Sequence, residues 1–158
     1  MGILADIQII NNNLVEKAIW RKISEKNGHK IMSYGLEPHG YTMTLSPDVP
    51  LHVTTDQEER QFVYIDSMQS VKLKCNERLQ MLDNVVGFLY PKSSYSRHGL
   101  IYSLAVVDAG FNGHISFSIF NPTDTWHKLY INEGILQIVF HESDVKPNSI
   151  YTGQYNEK

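Results

Sequence analysis

Two spacings of apolar residues divide the chain. Near the N-terminus, Leu14, Val15, Ala18, Ile19 and Ile23 recur three to four positions apart, which places them on one face of an α-helix. Asn13 can cap that helix, Glu16 three residues later completes a capping box, and Asn27-Gly28 supplies a stop. The spacing therefore predicts a helical segment within residues 1–30 that serves as structure. From about residue 40 the period falls to two. Val71, Leu73 and Cys75 alternate with Lys72 and Lys74, and Ile115, Phe117 and Ile119 alternate with Ser116 and Ser118. Apolar runs at 62–65, 85–90, 100–107 and 135–140 have the length of buried strands, with Pro47, Gly87, Pro91, Gly99, Gly110, Gly113 and Pro122 between or within them. Many short strands at this spacing predict an all-β barrel or double-sheet jelly roll. Nine tyrosines and six phenylalanines suit a sheet-rich core.

Composition narrows the class. A chain of 158 residues fits one domain, 1–158, with no repeat or linker; only the polar tail 147–158 reads as loosely attached. The net charge of −3 argues against nucleic-acid binding driven by bulk positive charge. Cys75 is the sole cysteine, so an internal disulfide and a cysteine-rich zinc site are both excluded. No apolar run reaches membrane-spanning length and no signal peptide is visible, so the expectation is a cytoplasmic protein without nucleic-acid or membrane partners.

Four stretches carry candidate chemistry. Pro91 to Leu100 offers Lys92, Ser93, Ser94 and Arg97, donors that can surround phosphate oxygens or simply make a polar surface turn. Val107 to Gly113 sets Asp108 at a strand end beside two glycines, a pattern shared by turn aspartates and by catalysts. Tyr130 to Phe140 contains Gln137 inside an apolar run, where backbone or ligand must satisfy its amide. Tyr151 to Tyr155 is an aromatic and amide cluster, or a frayed end.

In this order the stretches resemble the dUTPase and dCTP deaminase superfamily. Ile3 to Asp6 is similar to the start of deaminase-type members, Glu37 to Leu45 to the first motif, and Glu77 to Gly87 to the approach to the second. Lys92-Ser93-Ser94 with Arg97-His98-Gly99 resembles an Arg-Ser-Ser…Arg-x-Gly motif with Lys in the first place. Val107–Gly113, Gln137–Phe140 and Tyr151–Gln154 resemble the third, fourth and C-terminal elements. The resemblance implies a jelly-roll-like distorted β-barrel, a homotrimer with sites between subunits, a deoxynucleoside triphosphate substrate and Mg²⁺ on its phosphates. It also implies roles. Asp108 would activate water; Lys92, Ser93, Ser94, Arg97 and Gln137 would hold phosphates; Phe111 would pack under the deoxyribose. The base would be read by backbone around Leu104 to Val107, and Tyr151 and Gln154 would close over a neighbouring subunit's site.

The two branches of the superfamily differ in what water attacks. Deaminases carry a glutamate ten residues after the third-motif aspartate, and here that position is Ser118. A serine cannot shuttle protons near neutral pH as a tuned carboxylate does. The expectation is therefore a dUTP diphosphatase built on the deaminase-type branch. The alternatives are a dCTP deaminase, a bifunctional deaminase and diphosphatase, or a catalytically weak nucleotide-binding regulator; a carbohydrate-binding or capsid jelly roll is a more distant fourth. Three departures bear on the site: Thr42 follows Tyr41 where the first motif usually has Asp, the turn between the second and third motifs is about two residues short, and the glycine-rich C-terminal arm of typical trimeric dUTPases is absent.

Overall fold

A computed structural model describes residues 2–158. The elements, in chain order, are β1 (Gly2–Ile3), α1 (Asp6–Asn11), β2 (Ile23–Lys26), β3 (His29–Glu37), β4 (Gly40–Thr44), β5 (Thr54–Thr55), β6 (Gln61–Ile65), β7 (Ser70–Gln80), β8 (Val85–Pro91), α2 (Ser93–Ser96), β9 (Ile101–Ser103), β10 (Asn112–Phe120), β11 (His127–Tyr130) and β12 (Gly134–Glu142). All the strand pairs are antiparallel. In the largest sheet β12 is central, with β8 along one edge and β4, then β3 and β2, along the other. Two three-stranded sheets, β7-β10-β9 and β11-β6-β5, complete the structure. The bridge Leu45–Cys75 ties the end of β4 to β7, and Gly87–Val107 ties β8 to the segment between β9 and β10, in the expected jelly-roll-like distorted barrel.

Period-two alternation explains the core. Ile115, Phe117 and Ile119 of β10 and Val71, Leu73 and Cys75 of β7 all turn inward. They pack with Leu136, Ile138 and Phe140 of β12 and with Tyr41, Met43 and Leu45 from β4 and just beyond it. Burial also pushes the Cys75 thiol well above its ordinary pKa, which suits a packing residue rather than a nucleophile.

The N-terminal segment differs from expectation. The helix is α1, six residues long and ending before Asn13, which has a left-handed φ of 49°. Its first turn is closed by Gln8, whose side-chain oxygen accepts from the Ala5 N–H at 3.0 Å. Leu14 and Val15 are buried as their spacing implied, but as an extended cover on β7: Gln80 N–H donates to Leu14 O, and Glu16 N–H to Arg78 O. Backbone groups spent on a neighbouring strand cannot close helical turns. Asn27-Gly28, expected to stop a helix, instead turns the β2–β3 hairpin, both residues taking positive φ (51° and 78°).

Candidate functional site

The Lys92 region is a single helical turn, and one tyrosine holds it down. Tyr95 of α2 is buried and its hydroxyl accepts the Tyr130 N–H at 3.0 Å, so α2 cannot lift from β11. Ser93 and Arg97 are left exposed and Ser94 half-buried. Lys92 itself is only 8% exposed, with Nζ donating to Ser33 Oγ at 3.0 Å. Burial lowers its pKa, repulsion from Lys22 lowers it further, and Glu37 partly offsets both.

Strand register gathers further groups on the same face. Gln137 of β12 lies opposite Tyr90 of β8 on one side and Thr42 of β4 on the other. Directly opposed residues of an antiparallel pair project to one face, so this half-buried glutamine joins the Lys92 neighbourhood. Thr42, in the place where the first motif usually has Asp, is buried and donates from Oγ1 to Glu37 Oε1 at 2.8 Å. An aspartate at 42 would set a second carboxylate against Glu37; the hydroxyl removes that repulsion.

Asp108 lies elsewhere. It is exposed and lines a cleft of about 550 Å³ with Asn84, Val86, Ala109, Ile150 and Tyr151. The turn after it is tight: Phe111 N–H returns to Asp108 O at 3.1 Å, and Gly110 takes φ 85°. Phe111 is buried, its ring 5.8 Å from that of Tyr151. Just before Asp108, Val107 exchanges both backbone hydrogen bonds with Gly87, each 2.8 Å. Of the backbone expected to read a base, Val107 is therefore already engaged, leaving Leu104 to Val106.

The same pairing separates the two clusters along β8. Asp108 follows the residue bridged to Gly87, early in β8, whereas Lys92 follows the strand's far end. The run from Gly87 to Lys92 at about 3.3 Å per residue is on the order of 16 Å. The structure thus brings Lys92, Ser93, Ser94 and Gln137 to one end of β8, and Asp108, Phe111 and Tyr151 to the other. One chain does not unite them.

The tail is more firmly seated than its composition suggested. Tyr151 N–H donates to Ala109 O at 2.8 Å, and Asn156 Oδ1 accepts the Asn112 N–H at 2.8 Å. The Glu157 carboxylate lies 2.8 Å from His114 Nδ1. These contacts are to the turn that carries Asp108 and to β10, within the same chain, while Gln154 stays exposed. Sequence reasoning missed the His114–Glu157 pair because nothing local links positions 43 residues apart.

Ser118 sits half-buried on β10 between Ser103 of β9 and Lys72 of β7. Neither cross-strand partner is a carboxylate.

A mainly antiparallel jelly-roll-like barrel with polar clusters at both ends of β8 defines a fold class that the comparisons narrow. A family model described as dCTP deaminase-like matches residues 26–143, and the chain belongs to that family. A dCTP deaminase of Campylobacter jejuni (subsp. jejuni serotype O:2) is 28% identical over 166 aligned positions, covering 96% of this chain and 89% of the relative. A dCTP deaminase of Campylobacter fetus subsp. fetus is 27% identical, covering 100% and 95%. The crystal structure of 2′-deoxycytidine 5′-triphosphate deaminase from Agrobacterium tumefaciens superposes with a TM-score of 0.58 at 15% identity. That match covers 90% of this chain and 48% of the solved one, so this chain spans about half its length; it supports the fold alone. No helix among the described residues is long and apolar enough to cross a membrane.

Proposed function

We propose that the protein is a nucleotide-metabolising enzyme that hydrolyses dUTP to dUMP and pyrophosphate, in a site completed between copies of the chain in a homotrimer. The observation that carries the reaction type is Asp108, exposed and lining a cleft large enough for a nucleotide portion, together with Ser118 where a deaminase needs its glutamate. In this reading Asp108 orients a water and accepts its proton as the water oxygen bonds to the α-phosphorus. The bond from that phosphorus to the α–β bridging oxygen breaks, and pyrophosphate leaves with the electron pair. Lys92, Arg97, Ser93, Ser94 and Gln137 offset charge on the phosphates as it redistributes. The roughly 16 Å between the two clusters supports the homotrimer, because a second copy can bring Asp108 to the first copy's lysine.

Magnesium fits this scheme only as a passenger on the substrate. Among the described residues no group of three or more His, Cys, Asp or Glu side chains could hold a metal ion. Mg²⁺ commonly binds through substrate phosphates with few protein ligands, where it neutralises phosphate charge.

Deamination of dCTP is the second reading, and the names of the relatives favour it over the first. It needs an acid–base group at the base, and position 118 does not supply one. Incubation with dUTP, dCTP, dTTP and UTP, scoring pyrophosphate and base change separately, distinguishes the two. The expected result is pyrophosphate from dUTP alone, abolished by a chelator. Equal hydrolysis of dTTP would remove the uracil assignment, and conversion of dCTP to dUTP would install the second reading.

The tail gives a further prediction. Deleting residues from Ser149 onward exposes Phe111 but takes away little of the core, so the fold should persist. Loss of a closing segment admits bulk water and weakens electrostatic terms at the phosphates. Turnover of dUTP should fall at least about tenfold with assembly mass unchanged by light scattering. Full activity in the truncated chain would reduce the tail to a structural strap.

A further inference from the structure

We infer that Lys22 is a further phosphate-binding residue, closing with Lys92 a two-lysine clamp on a polyphosphate, and that Glu37 holds Lys22 in place until the phosphate arrives. The inference rests on the reading that the Lys92 face takes the triphosphate. None of the motif-like stretches contains Lys22; the structure alone places it there.

Charge at this face does not balance. Lys22 Nζ is 2.7 Å from Glu37 Oε1, and the same oxygen accepts the Thr42 hydroxyl. Lys92 Nζ has a neutral hydroxyl, Ser33 Oγ, as its hydrogen-bond partner, within electrostatic reach of Lys22 and Glu37. Two ammonium groups therefore share one carboxylate, and one positive charge is left over beside the Ser33 hydroxyl. A desolvated cation with a neutral hydrogen-bond partner, and with the one nearby carboxylate already paired to a second cation, is costly unless an anion joins it. A polyphosphate has the charge and the spread of acceptors to engage both lysines.

The backbone is shaped to bring Lys22 close. Gly35 of β3 pairs with Thr42 and takes φ 103°; a Cβ there would lie 2.7 Å from Arg21 O. The missing side chain is the notch through which the Arg21–Lys22 backbone passes over the sheet. Leu36 N–H then holds the segment through Ile19 O at 3.3 Å. Lys22 keeps 40% of its side chain exposed, against 16% for Glu37, so the ammonium can swing on its four-carbon stem while the carboxylate stays. Phosphate binding exchanges Glu37 for a phosphate oxygen as the partner of Lys22.

This exchange predicts opposite effects from the two halves of one ion pair. With inorganic tripolyphosphate as the calorimetric probe, Lys22→Gln should raise Kd about tenfold, and Lys22→Arg should leave it within about threefold of wild type. Glu37→Gln should lower Kd about threefold, because it removes a competing and repelling carboxylate while keeping an acceptor for Thr42. A merely structural ion pair would make both Gln variants bind more weakly or leave both unchanged, and either result overturns the clamp. Binding weakened by Lys92→Met but indifferent to Lys22→Gln overturns the clamp alone. A wild-type protein that binds no tripolyphosphate overturns the clamp and the phosphate reading of Lys92 together.

Discussion

Asp108→Asn should lower dUTP turnover by about 10²–10⁴-fold while nucleotide affinity changes little. The amide keeps the size of the carboxylate and can still hold a water by hydrogen bonding, but it cannot take the water's proton. Its exposed position means that no buried network is broken by the change, so the thermal midpoint should stay within about 1–2 °C of wild type. Single-turnover rates alongside equilibrium binding check this. A variant with wild-type kcat would place water activation on another group. A variant that loses binding and rate together would make Asp108 a contact for the substrate's metal or phosphates instead.

The second large effect runs in two directions at once. Lys92→Met should cut turnover by about 10²–10³-fold, the scale of losing one preorganised group that stabilises developing charge. The same change should raise stability, because Lys92 is buried and its hydrogen-bond partner among the described residues is the neutral Ser33 hydroxyl. Replacing a desolvated charge by an apolar group of similar volume often stabilises by about 1 kcal/mol or more, or about 2–4 °C at this chain length. The pH dependence supplies the sign. Burial holds the folded-state pKa of Lys92 below its ordinary 10.5, so the unfolded chain binds the extra proton between those values. Stability attributable to this residue therefore rises with pH through that window. Wild type should show that rise below pH 10.5 and the Met variant should lack it. A destabilised Lys92→Met would show that the ammonium is well satisfied in the free protein.

What the sequence disclosed was mostly what alternation controls. The inward faces of β7 and β10 follow from Val71-Leu73-Cys75 and Ile115-Phe117-Ile119, since residues two apart on a strand share a face. Helical spacing misleads for Leu14 to Ile23, where it is compatible with a strap whose backbone bonds go to β7 from Leu14 and Glu16 and to β3 from Ile19. Only the tertiary partner decides between them. The candidate site was legible as a set of residue types and illegible as an arrangement. Lys92 and Asp108 are close in sequence, yet the Gly87–Val107 bridge sends them to opposite ends of β8. Lys22 illustrates the converse, since a glycine notch brings it, with no local signature of its own, to Glu37 and Thr42 of a motif-like stretch.

The central claim is that water attacks phosphorus rather than the base, and isotopic oxygen tests it in one experiment. In H₂¹⁸O, hydrolysis at the α-phosphorus puts label on the phosphate of dUMP, whereas deamination puts it on C4 of the new uracil. With dUTP and dCTP supplied separately and products read by mass spectrometry, the expected result is dUMP labelled on phosphate, unlabelled pyrophosphate and unchanged dCTP. Uracil labelled at C4, arising from dCTP, would contradict it and assign the chain the reaction for which its relatives are named.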